Sequence, residues 1–172
     1  MEQTEDVLIE SLVGKRKTRP TLGRFVDIRV LQVRLALLAI SPGAGDLLLF
    51  AGKKIGEAQA RKLGRKGSLK EGIGIYFDYL KETKVAIPEL ARCNEKGAVI
   101  RGYECAFSYG LPNIGECVCT FDAGFQAGFL SEFTGMRIIS REVKCNANGD
   151  DYCEFVVKVV ELEEKLAEAF RF

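Results

Sequence analysis

The sequence predicts an α+β domain in which helices pack on one face of an antiparallel sheet of about four or five strands. The N-terminal half carries apolar residues at helical spacing, whereas most strand-like segments lie towards the C-terminus. With 172 residues, 47% hydrophobic and 28% charged, the chain can bury a substantial single core. We expect residues 1–20 to be a poorly ordered or loosely docked lead, and residues 21–172 to form one domain.

The N-terminal half is predicted to contain three segments with helical character. Residues 26–40 have helical spacing, although their β-branched residues leave a strand open. After "SPGAGD", Asp46 is a suitable N-cap for a helix over about residues 47–63. Ser68 and Glu71 then form a capping box for a helix that runs to about Lys84.

The C-terminal half is predicted to contain two hairpins with a helix between them. "ELARCNEKGAVIRGYECAF" has the pattern of a hairpin that turns at residues 94–97. A helix is predicted from Glu116 to Thr134, with Gly135 as its C-cap. "MRIISREVKC" and "YCEFVVKVV" are predicted strands joined by "NANGDD", and "ELEEKLAEAF" is a predicted short C-terminal helix.

Two of the predicted helices carry stripes of small residues. Gly52, Gly56 and Ala60 fall on one side of the first. The later helix carries a phenylalanine every four residues, typical of a buried core, beside two glycines: Phe121, Phe125, Phe129, Phe133, Gly124 and Gly128. Each helical glycine costs about 1 kcal/mol relative to alanine, so a compensating gain is expected. Close backbone approach of two helices, an apolar cavity and a self-association face all remain open.

The composition limits the chemistry available to the protein. There is no histidine, which removes Ser-His-Asp and Cys-His catalysis and any imidazole-built zinc site. The N-terminus lacks the features of a secretory signal, and no apolar run is long enough to span a bilayer. With a net charge of +1, nothing indicates a nucleic-acid partner. We therefore expect a cytoplasmic protein, in which six cysteines, at positions 93, 105, 117, 119, 145 and 153, indicate metal or redox chemistry more than disulfides.

The segment "EVKCNANGDDYC" concentrates this question. A calcium loop is excluded, because aligning Gly149 with the loop glycine puts Lys144 at the first ligand position. A hairpin brings Cys145 and Cys153 together, as buried thiols, a disulfide or two ligands of a zinc ion. Further donors would come from the remaining cysteines or a carboxylate: Cys119, Cys117, Cys105 or Glu142. Residues three apart on a regular strand face opposite sides, so Glu142 can join Cys145 only if the strand is bulged.

The stretch from "ECAFSYG" to "DDYCEFVV" resembles the vinyl-4-reductase-type domain, a small-molecule-binding family of bacteria and archaea. The matching features lie mainly in residues 104–157: Val118-Cys119, the glycines of the helix, Arg141-Glu142-x-x-Cys145, Gly149-Asp150 and Cys153-x-Phe155. The resemblance implies a mixed α/β domain, usually dimeric, with an apolar cavity beside a zinc site. Members that sense phenols hold zinc with three cysteines and a glutamate, which correspond here to Cys119, Glu142, Cys145 and Cys153. Cys93, Cys105 and Cys117 are then non-ligating thiols.

Three functions are compatible with these observations. The favoured one is a stand-alone binding module that holds a hydrophobic small molecule in an apolar cavity and is stabilised by a structural zinc. A homodimeric scaffold without ligand is the first alternative. The second is a reductase acting on a vinyl group of a tetrapyrrole-like substrate, which is disfavoured because no cofactor motif is visible. The sequence also lacks the histidine and tryptophan that bind phenol in the sensors, so its ligand is expected to differ.

Overall fold

The computed structural model describes residues 19–22, 34, 36–38, 41 and 43–160. Residues 34 and 36–38 are helical, as the pattern of residues 26–40 predicts, whereas the rest of that segment and the predicted C-terminal helix lie outside the described residues. The longer helices and the strands of the described part are α1 (Ala44–Arg61), α2 (Leu69–Glu82), β1 (Ile87–Asn94), β2 (Gly97–Tyr103), α3 (Thr120–Thr134), β3 (Ile138–Lys144) and β4 (Cys153–Val159).

The four strands form one antiparallel sheet in the order β1-β2-β4-β3. Both predicted hairpins are present, and β2 pairs with β4 in the middle of the sheet. One face of the sheet is buried against the helices through apolar side chains such as Ile100, Phe155 and Val157. The opposite face leaves Ile139 and Val143 exposed. These features confirm the predicted α+β class.

The helix boundaries agree with the predictions at α2 and differ at α1. Ser68 caps α2, and its hydroxyl accepts a hydrogen bond from the Glu71 amide at 3.2 Å. Helix α1 begins at Ala44 after Gly43, so Asp46 lies in its first turn and is not the N-cap. A carboxylate in the first turn still stabilises the helix, because it faces the positive end of the helix dipole. The predicted N-cap was therefore wrong by position, although the residue type was favourable.

The glycine stripes allow α1 and α3 to pack with their backbones in contact. A Cβ atom built on Gly52 would fall on the carbonyl oxygen of Phe121, and one on Gly124 would fall on that of Leu49. Of the three openings left by the sequence, close backbone approach is the one these contacts support. The phenylalanine stripe of α3 is core, as predicted, and Phe129 and Phe133 are almost completely buried in stacked contact.

No helix in the described part of the chain is both long enough and apolar enough to cross a membrane.

Candidate metal centre

The β3–β4 hairpin places Cys145 and Cys153 opposite each other. A short 3-10 turn over Asn146–Asn148 reverses the chain, and Gly149 follows it in the left-handed conformation, with φ 89°. The turn is held by the Asp150 carboxylate, which accepts a hydrogen bond from the Cys145 amide at 3.0 Å. The two cysteine sulfurs lie 3.9 Å apart and are fully buried. The predicted hairpin is therefore also the device that brings the two thiols together.

Glu142 joins these thiols because β3 is bulged. The β3–β4 register shifts between Glu142 and Lys144, so that Val143 is an extra residue on β3. Val143 is exposed, whereas Glu142 turns inwards and is only 8% exposed. Cys145 lies just beyond the end of β3. The conflict between strand alternation and a shared site for Glu142 and Cys145 is thus resolved by a bulge.

Cys119 reaches the same point from the N-terminus of α3. The predicted start of this helix at Glu116 was wrong, since α3 begins at Thr120 and Cys119 is its N-cap residue. The reason is a long-range contact: the Cys119 amide donates a 2.7 Å hydrogen bond to Oε2 of Glu142. This bond holds Cys119 against β3 with a non-helical backbone, at φ −90° and ψ 38°. The predicted C-cap, Gly135, is correct.

The four side chains form a compact cluster of donors, which we term the four-donor cluster: Cys119, Glu142, Cys145 and Cys153. One ligand atom from each lies within 4.8 Å of all the others, and all four residues are buried. The Cys119 and Cys153 sulfurs are 3.9 Å apart. A tetrahedral ion with metal–sulfur bonds of about 2.3 Å separates its sulfur ligands by about 3.8 Å. The spacing of the sulfurs therefore fits a tetrahedral metal ion without rearrangement.

One carboxylate oxygen of Glu142 is left for such an ion. Oε2 is engaged by the Cys119 amide, whereas Oε1 is buried and accepts no hydrogen bond from the described residues. Leaving a buried acceptor unpaired costs about 1–3 kcal/mol, so native structures seldom tolerate it without compensation. A cation bound between Oε1 and the three sulfurs would supply that compensation.

The electrostatics of the cluster also favour a bound cation. Burial, followed by the charge of Cys153, raises the pKa of Glu142 to about 8. Hydrogen bonding to Cys145 and Cys153, followed by burial, raises the pKa of the Cys119 thiol well above its usual value. Cys153 is the exception, because hydrogen bonds from Cys105, Cys119 and Cys145 lower its pKa. Without a cation only part of this charge can be developed, whereas a divalent ion would stabilise the deprotonated groups together.

Residues outside the predicted set support the cluster. The fully buried Ser108 hydroxyl lies 3.1 Å from the Cys153 sulfur. Ser108 carries no motif that the sequence could have revealed, because it is distant from Cys153 along the chain. Asp150 could have been anticipated, since an aspartate after Asn-Gly commonly caps a turn. Cys93, Cys105 and Cys117 are not among the four donors, and Cys93 lies in β1.

A narrow cavity of about 20 Å³ adjoins the cluster between α2, α3 and the sheet. Its walls are mainly apolar and include Tyr76, Ile100 and Phe155, and Cys119 lines the side next to the cluster. Asp122 and Gln126 add polar groups. A volume of this size holds about one water molecule.

A buried ion pair stands beside the polar part of this cavity. Arg34 donates a hydrogen bond to the Asp122 carboxylate at 3.0 Å, and its guanidinium lies 3.7 Å from the centre of the Phe107 ring. Burial raises the pKa of Asp122, although Arg34 opposes this shift. The pair attaches the helical segment around Arg34 to the first turn of α3, three residues after Cys119.

Comparison with known proteins places this arrangement among relatives. Residues 98–159 match the vinyl-4-reductase (V-4-R) domain family, a range that includes every member of the four-donor cluster. The uncharacterized protein MJ0150 of Methanocaldococcus jannaschii is 30% identical over 159 residues, which cover 92% of this chain and 88% of the relative.

Two solved structures share the fold. The phenol-responsive sensory domain of the transcription activator PoxR, determined with phenol, has a TM-score of 0.61 at 17% identity and covers 97% of this chain and 96% of its own. A vinyl-4-reductase family protein from Methanocaldococcus jannaschii has a TM-score of 0.59 at 20% identity, over 93% of this chain and 94% of its own. At these identities the likeness is one of fold.

Proposed function

Because this chain belongs to the vinyl-4-reductase domain family, we propose that it is a binding module for a hydrophobic small molecule, stabilised by a structural zinc ion. The observation that carries this proposal is the four-donor cluster with the unpaired Oε1 of Glu142. The phenol-bound sensory domain of PoxR, which shares the fold, supports a ligand-binding role.

Zinc is the ion that best suits the donor set. Thiolates favour soft or borderline metals such as zinc, and a carboxylate oxygen is an accepted fourth ligand. Cys119, Cys145, Cys153 and Oε1 of Glu142 would hold the ion. When bound, zinc would join β3, β4 and the start of α3, three segments that are separated along the chain. Four protein donors leave no position for a reactive water, so the role proposed for the ion is structural.

Replacing Glu142 with glutamine tests whether the carboxylate is a ligand. The amide keeps the size of the side chain and can still accept the hydrogen bond from the Cys119 amide, but it loses the charge that offsets the cation. We expect zinc affinity to fall by more than the roughly 10- to 100-fold typical of losing a second-shell partner. Competition with a chelator of known affinity measures this change.

Glu154→Gln is the matched control for Glu142→Gln. Glu154 lies on the neighbouring strand but bonds to Arg101 at 2.9 Å and is not part of the cluster. It should retain wild-type zinc affinity. Equal affinities for Glu142→Gln and the wild type would remove Glu142 from the proposed ligand set.

The proposed ligand site is the cavity beside the cluster. Aromatic and aliphatic side chains dominate its wall, as expected for a site that binds apolar compounds. Its present volume of about 20 Å³ is much smaller than typical ligand pockets. We therefore propose that a ligand widens the cavity, by displacing side chains of α2 such as Tyr76 and Leu80 that form one of its walls. Asp122 and Gln126 would then hydrogen-bond to a polar group on an otherwise apolar molecule.

We also propose that the protein is a homodimer in the cytoplasm. Leu47 and Phe50 are one turn apart on α1 and are 65% and 58% exposed. They lie on the side of the helix opposite the glycines that contact α3. A second copy of the chain would remove these side chains from water. The six unbonded cysteines support a reducing compartment.

Native mass spectrometry of the purified protein tests these proposals together. We expect a dimer that carries one zinc ion per chain and that, when expressed in cells containing the ligand, also carries additional small-molecule mass. Dissociation in denaturing solvent should release both. A metal-free protein would contradict the zinc site, and a monomer would contradict the dimer. Turnover of a vinyl-bearing tetrapyrrole with reduced nicotinamide would favour the reductase instead.

A further inference from the structure

A fifth sulfur lies beside the four-donor cluster and has no role in the proposed zinc site. Cys105 is buried in the segment after β2, where its thiol donates a hydrogen bond to the Gly102 carbonyl at 3.3 Å. A Cβ atom on Gly102 would lie 2.8 Å from the Cys105 sulfur, so the sulfur occupies the space that a side chain at Gly102 would need. Gly102 is paired with Cys153 across the sheet. This pairing brings the Cys105 thiol beside Cys153.

Cys153 is surrounded by sulfur. Its Sγ interacts directly with the thiols of Cys105, Cys119 and Cys145, and it also lies 3.1 Å from the Ser108 hydroxyl. Cys119 and Cys145 are themselves proposed zinc ligands, so a bound ion would hold their sulfurs apart from Cys153. Among the described thiols that interact with the Cys153 sulfur, Cys105 alone would have no bond to the ion. Cys105 is therefore the neighbour that can approach Cys153 while the metal centre is loaded.

The cavity gives small molecules a place beside this pair. Gly102, Cys105 and Cys119 all line it, and each of them neighbours Cys153. Its volume of about 20 Å³ suits a molecule close to water in size. Hydrogen peroxide is such a molecule, whereas larger oxidants would not fit without displacing side chains.

We infer that Cys105 is the redox partner of Cys153, and that peroxide links the two sulfurs in a disulfide and thereby removes one donor from the metal centre. This inference rests on the proposed zinc site and adds regulation to it. An oxidised centre would keep Cys119, Cys145 and Glu142 as donors, one fewer than a closed tetrahedral site requires. The connection between β4 and the start of α3 through the ion would then be weakened.

The proposed oxidation is balanced in two steps. The Cys153 thiolate attacks one oxygen of hydrogen peroxide, the O–O bond breaks, and a sulfenic acid and hydroxide are formed. The Cys105 sulfur then attacks the sulfenic sulfur, the S–S bond forms, and the sulfenic hydroxyl leaves as water with the proton of the Cys105 thiol. Two sulfurs are oxidised and peroxide is reduced by two electrons. A dithiol reductant reverses the reaction by thiol–disulfide exchange.

Peroxide treatment of the purified full-length protein, first loaded with zinc, tests this inference. Released zinc is followed with a chromogenic chelator, and the disulfide is located by differential alkylation and peptide mass spectrometry. We expect the wild type to release zinc and to form a Cys105–Cys153 crosslink, both reversed by dithiothreitol. Cys105→Ala should bind zinc at the same stoichiometry but lose peroxide-dependent release. Cys93→Ala, which removes a thiol in β1 outside the cluster, should behave as the wild type.

The outcomes separate the inference from the zinc site on which it rests. A wild type that binds no zinc would overturn both. Zinc binding with equal peroxide-dependent release from the wild type and Cys105→Ala would overturn the redox role of Cys105 alone. The crosslink map decides the matter even if Cys105→Ala fails to fold, because a crosslink between Cys153 and Cys117, Cys119 or Cys145 in the wild type would exclude Cys105 as the partner.

Discussion

Replacing Cys145 with alanine is expected to abolish zinc binding and to destabilise the domain. Cys145 is fully buried, and its loss would leave three donors to hold the ion. Without the ion, buried groups remain that cannot all be charged together, and breaking such an arrangement typically costs roughly 3–5 kcal/mol. Since about 1 kcal/mol shifts the unfolding midpoint of a domain this size by roughly 2–4 °C, we expect a fall on the order of 10 °C.

Metal analysis and calorimetry, each with and without a chelator, measure this effect. A chelator should lower the unfolding temperature of the wild type towards that of Cys145→Ala and should leave the variant unchanged. Cys93→Ala is the matched control, because it removes a half-buried thiol that is not part of the cluster. It should retain zinc and respond to chelator as the wild type does. A Cys145→Ala protein with normal zinc content and stability would refute the metal centre.

Replacing Gly124 with alanine is expected to destabilise the protein strongly, although alanine is the better helix former. Intrinsic propensity favours the change by about 1 kcal/mol. The new Cβ, however, would fall on the Leu49 carbonyl, and that is backbone that cannot rotate away as a side chain could. Overpacking of this kind typically costs about 1–3 kcal/mol and occasionally more, so we expect a net loss of about 2–3 kcal/mol.

Gly74→Ala is the matched control for this experiment. Gly74 also lies within a helix, but a Cβ built there meets no atom within 4 Å. This substitution should stabilise the protein by up to about 1 kcal/mol through helix propensity. Urea denaturation of both variants gives the two free energies of unfolding. If Gly124→Ala were as stable as Gly74→Ala, the close packing of α1 on α3 would not contribute as described.

Much of the architecture follows from local chemistry and was therefore predictable. Hydrophobic periodicity identified the elements, and Ser68 and Gly135 marked the ends of two helices. The Asn-Gly sequence indicated the hairpin that joins Cys145 to Cys153. The absence of histidine limited any metal donors to sulfur and carboxylate. Each of these inferences depends on a residue and its near neighbours, which is the information that a single sequence contains.

The geometry of the metal centre depends on contacts between residues that are distant along the chain. The bulge at Val143 turns Glu142 inwards, and the bond from the Cys119 amide to Glu142 determines where α3 begins. Sequence spacing alone indicated that Glu142 and Cys145 should face opposite sides, and that the helix should start at Glu116. Both expectations changed because a strand register and a helix start are settled by tertiary contacts when these outweigh local preference.

The position of Cys105 belongs to the same class. Nothing in its immediate sequence relates it to Cys153, and the two meet because β2 pairs with β4 and because Gly102 leaves room for the Cys105 sulfur. The sequence by itself determined the fold class, the hairpins and the kinds of donor atoms, since these follow from side-chain chemistry and local periodicity. Only the tertiary structure decided which donors converge and which thiol stands beside them, because strand pairing and helix packing set those distances.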